Sequence, residues 1–328
     1  MKKRVLSLVL ACMLAFSATA CGKDGSKQGG QTGQDAAGGQ DAAQGTESGT
    51  DGPEDGSAQA VWVEMEKEEP ALDWSAVEEA PEEDFRFSGV KLSGCAGVEI
   101  NEYLGEGGVV KIPTSLGGKP VISIDDYVFS ESGVTDVYFE AEGFVYIKSY
   151  AFAGCTTLNS VVIKGNEETE LRGHAFEDCT NLTSVVLSGE ITEFWEAVFW
   201  GTPWLENKKQ EAPLVIVNNM LLDATLYEGD LVIPDGVIRV VRYAAWENEN
   251  ITSLTVPDSV QRIEAGSFGK CVNLTRVSLP DGIRTIGGPY GFAGDPDIVI
   301  THRGIEYTYE QLEELDSMIW LEYLNSPH

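Results

Sequence analysis

The feature that most constrains this chain is a repeat centred on phenylalanine. The segments SIDDYVFSES at 123–132, YIKSYAFAGC at 146–155, ELRGHAFEDC at 170–179, EFWEAVFWGT at 193–202, VVRYAAWENE at 240–249, RIEAGSFGKC at 262–271 and GGPYGFAGD at 287–295 line up. Their anchor aromatics are Phe129, Phe152, Phe176, Phe199, Trp246, Phe268 and Phe292, at spacings of 23, 24, 23, 47, 22 and 24 residues. The 47 is two periods, so one anchor-bearing turn is missing. Five residues before the anchor stand Ile124, Ile147, Leu171, Phe194, Val241 and Ile263, and six after it Leu158, Leu182, Leu205, Leu274 and Ile298. A short alternating run follows in each repeat, for example Val161/Ile163, Val185/Leu187, Leu254/Val256 and Val277/Leu279. Such alternation predicts a strand, and the prolines at 113, 234, 257 and 280 end several of these runs because they lack the ladder N–H.

One strand per roughly 23 residues describes a solenoid, mainly β, with an irregular or helical turn completing each repeat. No turn closes a core alone. Stacking turns about 4.8 Å apart buries continuous ladders of Phe, Leu, Ile and Val.

AFAGCTTLNSVVI, AFEDCTNLTSVVL and SFGKCVNLTRVSLPDGIRTI resemble the BspA-like leucine-rich repeat. The resemblance covers roughly residues 108–300, and the flanks NEYLGEGGVVKIPTSLGGKPVISI and VITHRGIEYTYEQLEELDSMI also look like that family. It implies a leucine-rich repeat solenoid on a surface or secreted protein, often an adhesin, and it carries over no catalytic residues. The chain departs from the pattern at 203–230, where Val215, Val217, Met220 and Leu222 predict a hairpin with Asn218-Asn219 near its tip. Residues 85–107 are expected to cap the solenoid at one end. Residues 301–328 cap it at the other, with a strand at 305–309 and a helix carrying Leu312, Leu315, Ile319 and Leu321.

The region before the repeats reads as an address and a stalk. Lys2, Lys3 and Arg4 precede an apolar run from Val5 to Phe16, too short to span a bilayer, and small residues lead to Cys21. Residues 1–21 are therefore a secretory leader. Ala18-Thr19-Ala20 fits an ordinary signal peptidase. Followed by Cys21, the same residues resemble a bacterial lipobox, which implies acylation of that cysteine and stable anchoring to the membrane. Both readings start the mature chain at Cys21, and the lipobox explains the cysteine. Residues 22–60 hold no Val, Ile, Leu or aromatic residue, so they form a disordered tether of about 35 Å root-mean-square span. Residues 61–84 form an acidic neck, whose Trp62, Trp74 and Val77 either dock on the domain or on a partner or, as the favoured reading has it, make intermittent contacts from a short solvated helix.

Charge excludes further classes. The chain has 22 Lys+Arg against 53 Asp+Glu, a net charge of −31, made up of −14 in residues 22–84 and −20 in residues 85–328, offset by +3 in the leader. Such a chain offers no footprint for a phosphate backbone, so nucleic acid is not a partner, and a neutral or basic partner is favoured. No pair of histidines stands at metal spacing, and there is no Gly-x-Ser-x-Gly elbow or P-loop, so no cofactor, metal or catalytic residue is assigned. Cys155, Cys179 and Cys271 share one repeat column and are expected to be small buried hydrophobes. His174 shares a column with Tyr127 and Tyr150 and is expected to pack half-buried.

Two surfaces are candidates for ligand binding. Trp195 and Trp200 occupy columns that are elsewhere polar or small; they are either an aromatic patch or are covered by the 203–230 insertion. The outward side of the strands carries Tyr138, Val162, Val186, Thr255 and Ser278, with Asp136 and Arg276 alongside. The reading that follows is a monomeric, lipid-anchored surface protein facing outward. Its solenoid binds a host or bacterial protein or a glycan without catalysis. The alternatives are a surface hydrolase using carboxylates and a structural envelope component with no external ligand.

Overall fold

Each repeat makes one circuit of the solenoid, and the computed structural model shows what the Phe-bearing turn contributes to it. The structure describes residues 59–325 apart from 69, 93, 142 and 293–296; the leader, Cys21 and the tether to residue 58 lie outside the described residues. In successive turns the amide of the anchor donates to a carbonyl one turn on: Phe129 to Ala151, Phe152 to Ala175 and Phe176 to Val198, at 2.7, 2.8 and 2.9 Å. The rings follow the backbone. Phe129, Phe152, Phe176 and Phe199 stack at centroid distances of 4.8, 5.0 and 5.6 Å, all within 10° of parallel, the offset arrangement that aromatic quadrupoles favour.

Two parallel ladders run along the stack. The first is the one the alternation predicts: Gly108–Lys111, Val134–Ala141 and the opening halves of the long strands Ser160–Leu171 and Ser184–Phe194. Beyond the irregular region it resumes as Gly229–Val232, Ile251–Thr255, Arg276–Leu279 and Val299–His302, closed by antiparallel Ile305–Thr308. A second ladder carries the column five residues before the anchor. There Ile100, Ile124, Ile147, Leu171 and Phe194 are paired in register, and Leu221, Val240 and Ile263 continue the series after the insertion. Inward side chains of both ladders form one core in which Val137, Phe139, Val161, Ile163, Val185 and Leu187 are buried.

The structure corrects the register at one turn. Ala245, and not Trp246, occupies the anchor site: it is fully buried, and its amide donates to Ser267 at 2.7 Å as the anchors do. Tyr243 sits two residues before it with φ 62°, matching Tyr127, Tyr150 and His174 at 62°, 60° and 61°. The spacings there become 46 and 23, and the ladder residue is Val240 rather than Val241. Trp246 lies one position outward, half-buried, 4.7 Å from Tyr243 and under Lys270.

The insertion is a helix and a hairpin. Helix α1 (Pro203–Glu211) starts where Thr202 caps it, accepting from the Leu205 amide at 3.3 Å, with Pro203 at the first helical position. Trp204 on α1 packs 4.7 Å from Phe199 and ends the first phenylalanine stack. Strands Leu214–Val217 and Met220–Asp223 pair antiparallel around Asn218 and Asn219, both at positive φ, the turn that an Asn-Asn pair suits. At the far end, helix α2 (Leu312–Asn325) buries Leu312, Leu315 and Ile319 against the last turn. Leu321 departs from expectation and is 57% exposed.

The three column cysteines are buried, and each thiol donates to a carbonyl one turn back: Cys155 to Phe129, Cys179 to Phe152 and Cys271 to Ala245, at 2.8, 3.1 and 3.1 Å. Burial pushes the Cys271 thiol up to about 12. At neutral pH, alkylation of the native protein is expected to mark half-buried Cys95 and to spare these three until denaturant is added, read by peptide mass.

Candidate functional site

The neck is the largest departure from the sequence reading. It is a strand, Ala60–Val63, followed by three short 3-10 turns, and it is part of the fold. The strand pairs parallel with Leu214–Val217 of the insertion, and Val63 and Met65 enter the core. The chain then crosses the outward side of the first ladder. Trp74, 6% exposed, covers Tyr138, Val162 and Val186, with its ring 5.3 Å from that of Tyr138 and Val77 packed beside it. Lys111 fastens the crossing by donating from Nζ to the carbonyls of Trp74 and Val77 at 3.3 and 3.2 Å. An apolar run of outward positions explains this path, since leaving Tyr138, Val162 and Val186 in water wastes burial that one tryptophan supplies.

Tyr138 is therefore covered, and its hydroxyl donates to Glu140 at 2.5 Å. Asp136, on the same strand, is half-buried and accepts from Ser160 one rung on at 2.6 Å. Asp230 and Ser253 repeat that contact at 2.6 Å in the later turns, so both aspartates act as rungs of the ladder.

Past the insertion the same side of the ladder lies open. Val232, Thr255, Ser278 and Thr301 stand in register on adjacent strands, and Val232, Thr255 and Ser278 are exposed. Arg276 is exposed in the neighbouring row, between Ser253 and Val299. Thr255, Ser278, Thr301, Arg276, Ser253, Val299 and Glu306 line a shallow groove of about 530 Å³. Its floor is hydroxyl and β-branched, with one guanidinium and one carboxylate at its sides. Such a surface offers hydrogen bonds and shape, and the described residues contain no cluster of three His, Cys, Asp or Glu arranged to hold a metal.

Trp195 and Trp200 do not form one patch. Trp195 lies between the guanidiniums of Arg172 and Arg242, 4.1 and 5.1 Å from its ring, and its indole N–H donates to Glu170 at 3.3 Å. Trp200 is half-buried, 6.0 Å from Tyr243, and walls a separate hollow of about 300 Å³ with Leu205, Glu206, Lys209 and Asp223 of the insertion. Asp223 in that hollow is buried, and burial raises its pKa despite Lys209 nearby; its Oδ1 accepts from the amide and hydroxyl of Thr225 at 2.9 and 2.7 Å, which holds the turn after the hairpin. His174 is half-buried as expected, stacked on Tyr150 at 4.7 Å with Glu177 3.2 Å from Nδ1.

Sequence reasoning missed an ionic network along the second ladder. Lys148 contacts Glu99 and Asp125 at 2.9 and 2.8 Å, Arg172 meets Glu170 at 2.8 Å, and Arg239 joins Glu193 to Glu264 at 2.5 and 3.0 Å. The signal available was a charged residue recurring next to the ladder column, read singly rather than between turns.

Comparison with known proteins agrees with this geometry. The family described as the BspA type leucine rich repeat region matches in six copies, over residues 110–221 and 231–297. Among solved structures, a leucine rich repeat protein of T. pallidum is 21% identical, with 68% of this chain and 81% of that chain covered and a TM-score of 0.31. A leucine rich cell surface protein from Faecalibacterium prausnitzii A2-165 is 19% identical over 65% of this chain and 86% of that one, with a TM-score of 0.26. The pneumococcal vaccine antigen PcpA is 14% identical over 68% and 81%, with a TM-score of 0.26. No curated protein matches the chain. No helix of the described residues is long and apolar enough to cross a membrane.

Proposed function

The chain belongs to the BspA-type leucine-rich repeat family, and from that premise we propose that it is a non-catalytic binding protein of the cell surface. One observation carries the reading: the strand side is covered by the chain's own neck over the early turns and left open over the later ones, around Arg276, Ser278 and Thr301. Extended surfaces of this kind are what repeat proteins use to take partners. The partner is a host or bacterial surface protein or a glycan. The net charge of −31 favours a neutral or basic one. Export and anchoring rest on the leader and Cys21, so the protein faces outward on the lipid of its own N-terminus. It acts as a monomer.

A glycan and matrix-protein array probed with the mature protein tests this. Specific binding is expected, with Arg276→Glu weakening it at least about tenfold and Trp195→Ala leaving it unchanged. Turnover abolished by a single Asp or Glu substitution would replace the reading with a carboxylate hydrolase. Neither binding nor turnover would leave an envelope component. Intact mass of the mature chain is expected to show acyl groups on Cys21; an unmodified cysteine there would overturn the anchor.

A further inference from the structure

Residues 60–84 do two different things. Ala60–Val63 and Met65 are built into the core at one end, and Phe85 is buried at the other. Between these fixed ends, residues 70–79 cross the face and are exposed except for Trp74 and Val77. No strand pairing holds this stretch; it is kept down by the two Lys111 contacts, by Glu79 Oε1 accepting from the Thr114 amide at 3.1 Å, and by those two side chains. The indole N–H of Trp74 is buried without a hydrogen-bond partner, so the plug leaves a polar group unsatisfied. Beneath it, Tyr138, Val162 and Val186 form an apolar stripe that crosses three turns in register.

We propose that this stripe is a docking surface for an extended protein segment, held closed in cis by residues 70–79. The segment it takes carries an aromatic residue, a β-branched residue three positions on, and carboxylates around them. The occupant itself gives that chemistry: Asp73, Trp74, Val77, Glu78 and Glu79. So does the rim. Lys111 and Lys164 both hold their ammonium groups over the Tyr138 ring, at 5.6 and 5.7 Å, two cations against the one carboxylate of Glu140 at its hydroxyl, in a chain with 22 bases against 53 acids. An acidic segment replacing an acidic strap leaves the local charge balance unchanged, so the overall negative charge does not oppose the exchange. Because both ends of the strap are anchored independently, lifting it is a local opening that leaves the solenoid folded. The surface is separate from the groove at Arg276, and the inference stands whether or not that groove binds.

The test uses the full chain with Trp74→Ala and a labelled peptide, PALDWSAVEEA, of the sequence at 70–80. The variant is expected to stay folded with one cooperative melt at a lowered midpoint, to lose amide protection over 70–79, and to bind the peptide at least about tenfold more tightly than wild type does. Binding is expected to fall when the peptide's Trp is replaced by Ala, and when Lys164→Glu is added to the variant. Val77→Asp loosens the same stretch from its other contact and replaces Trp74→Ala should that variant fail to fold. A folded variant with an unprotected strap that binds the peptide no better than wild type would overturn the proposal. So would a concentration-dependent dimer by light scattering, which would assign the stripe to a second copy of this chain.

Discussion

Phe176→Ala is expected to destabilise the protein by about 3–5 kcal/mol, the usual cost of emptying a phenylalanine site in a packed core. Phe176 is fully buried, 5.0 Å from Phe152 on one side and 5.6 Å from Phe199 on the other. Its neighbours cannot close the gap, because their backbones are fixed by the amide–carbonyl bonds between turns. At roughly 2–4 °C per kcal/mol for a domain of this size, the midpoint falls by about 6–20 °C. Trp246→Ala gives the control. A register counted on aromatic residues makes Trp246 the equivalent of Phe176 and predicts an equal loss. Half-buried outside the anchor site, it is expected to cost only about 1 kcal/mol, in the range of ordinary substitutions. Thermal melts of the two variants and wild type decide between the registers.

That contrast shows where the sequence was readable. A ladder demands the same chemistry at the same step, so Phe129, Phe152, Phe176 and Phe199 announce themselves, as do the paired Ile124, Ile147 and Leu171. At Ala245 the size rule is broken while the backbone keeps its place, and residue type misleads by one position. Counting 23 back from Phe268 would have found it. The hairpin was legible because Asn218-Asn219 is a local signal. The neck was not: Trp74 meets Tyr138 from 64 residues away, and nothing periodic in 61–84 marks which side chain is buried. The candidate surface inherited that blindness. Tyr138 and Arg276 belong to equivalent strands, and only the path of the neck makes one covered and the other open.

Arg239→Met tests the place where the repeat is interrupted. Arg239 follows the insertion, yet its guanidinium reaches Glu193, which precedes it, at 2.5 Å, and also Glu264 on the next turn at 3.0 Å and the Thr192 carbonyl at 3.2 Å. Backbone pairing does not join the two sides there. The last strand before the insertion and the first ladder strands after it lie in different sheets. Arg239 thus stitches across the missing turn, beside Arg242, which reaches back to Glu196 at 3.9 Å and to the Trp195 ring at 5.1 Å. Its removal leaves two carboxylates facing each other, 28% and 13% exposed, with only the half-exposed Arg262 near both, at 3.9 and 3.3 Å. Breaking a fully buried pair costs about 3–5 kcal/mol. Solvent at Glu193 screens part of that, so about 2–4 kcal/mol is expected. If repulsion between the stranded carboxylates is the cause, adding Glu264→Gln recovers roughly half of the loss, although it restores no contact. Urea titrations of Arg239→Met, Glu264→Gln and the double variant measure this. Strict additivity would mean that Arg239 acts by packing alone, and the stitch would then be apolar rather than ionic.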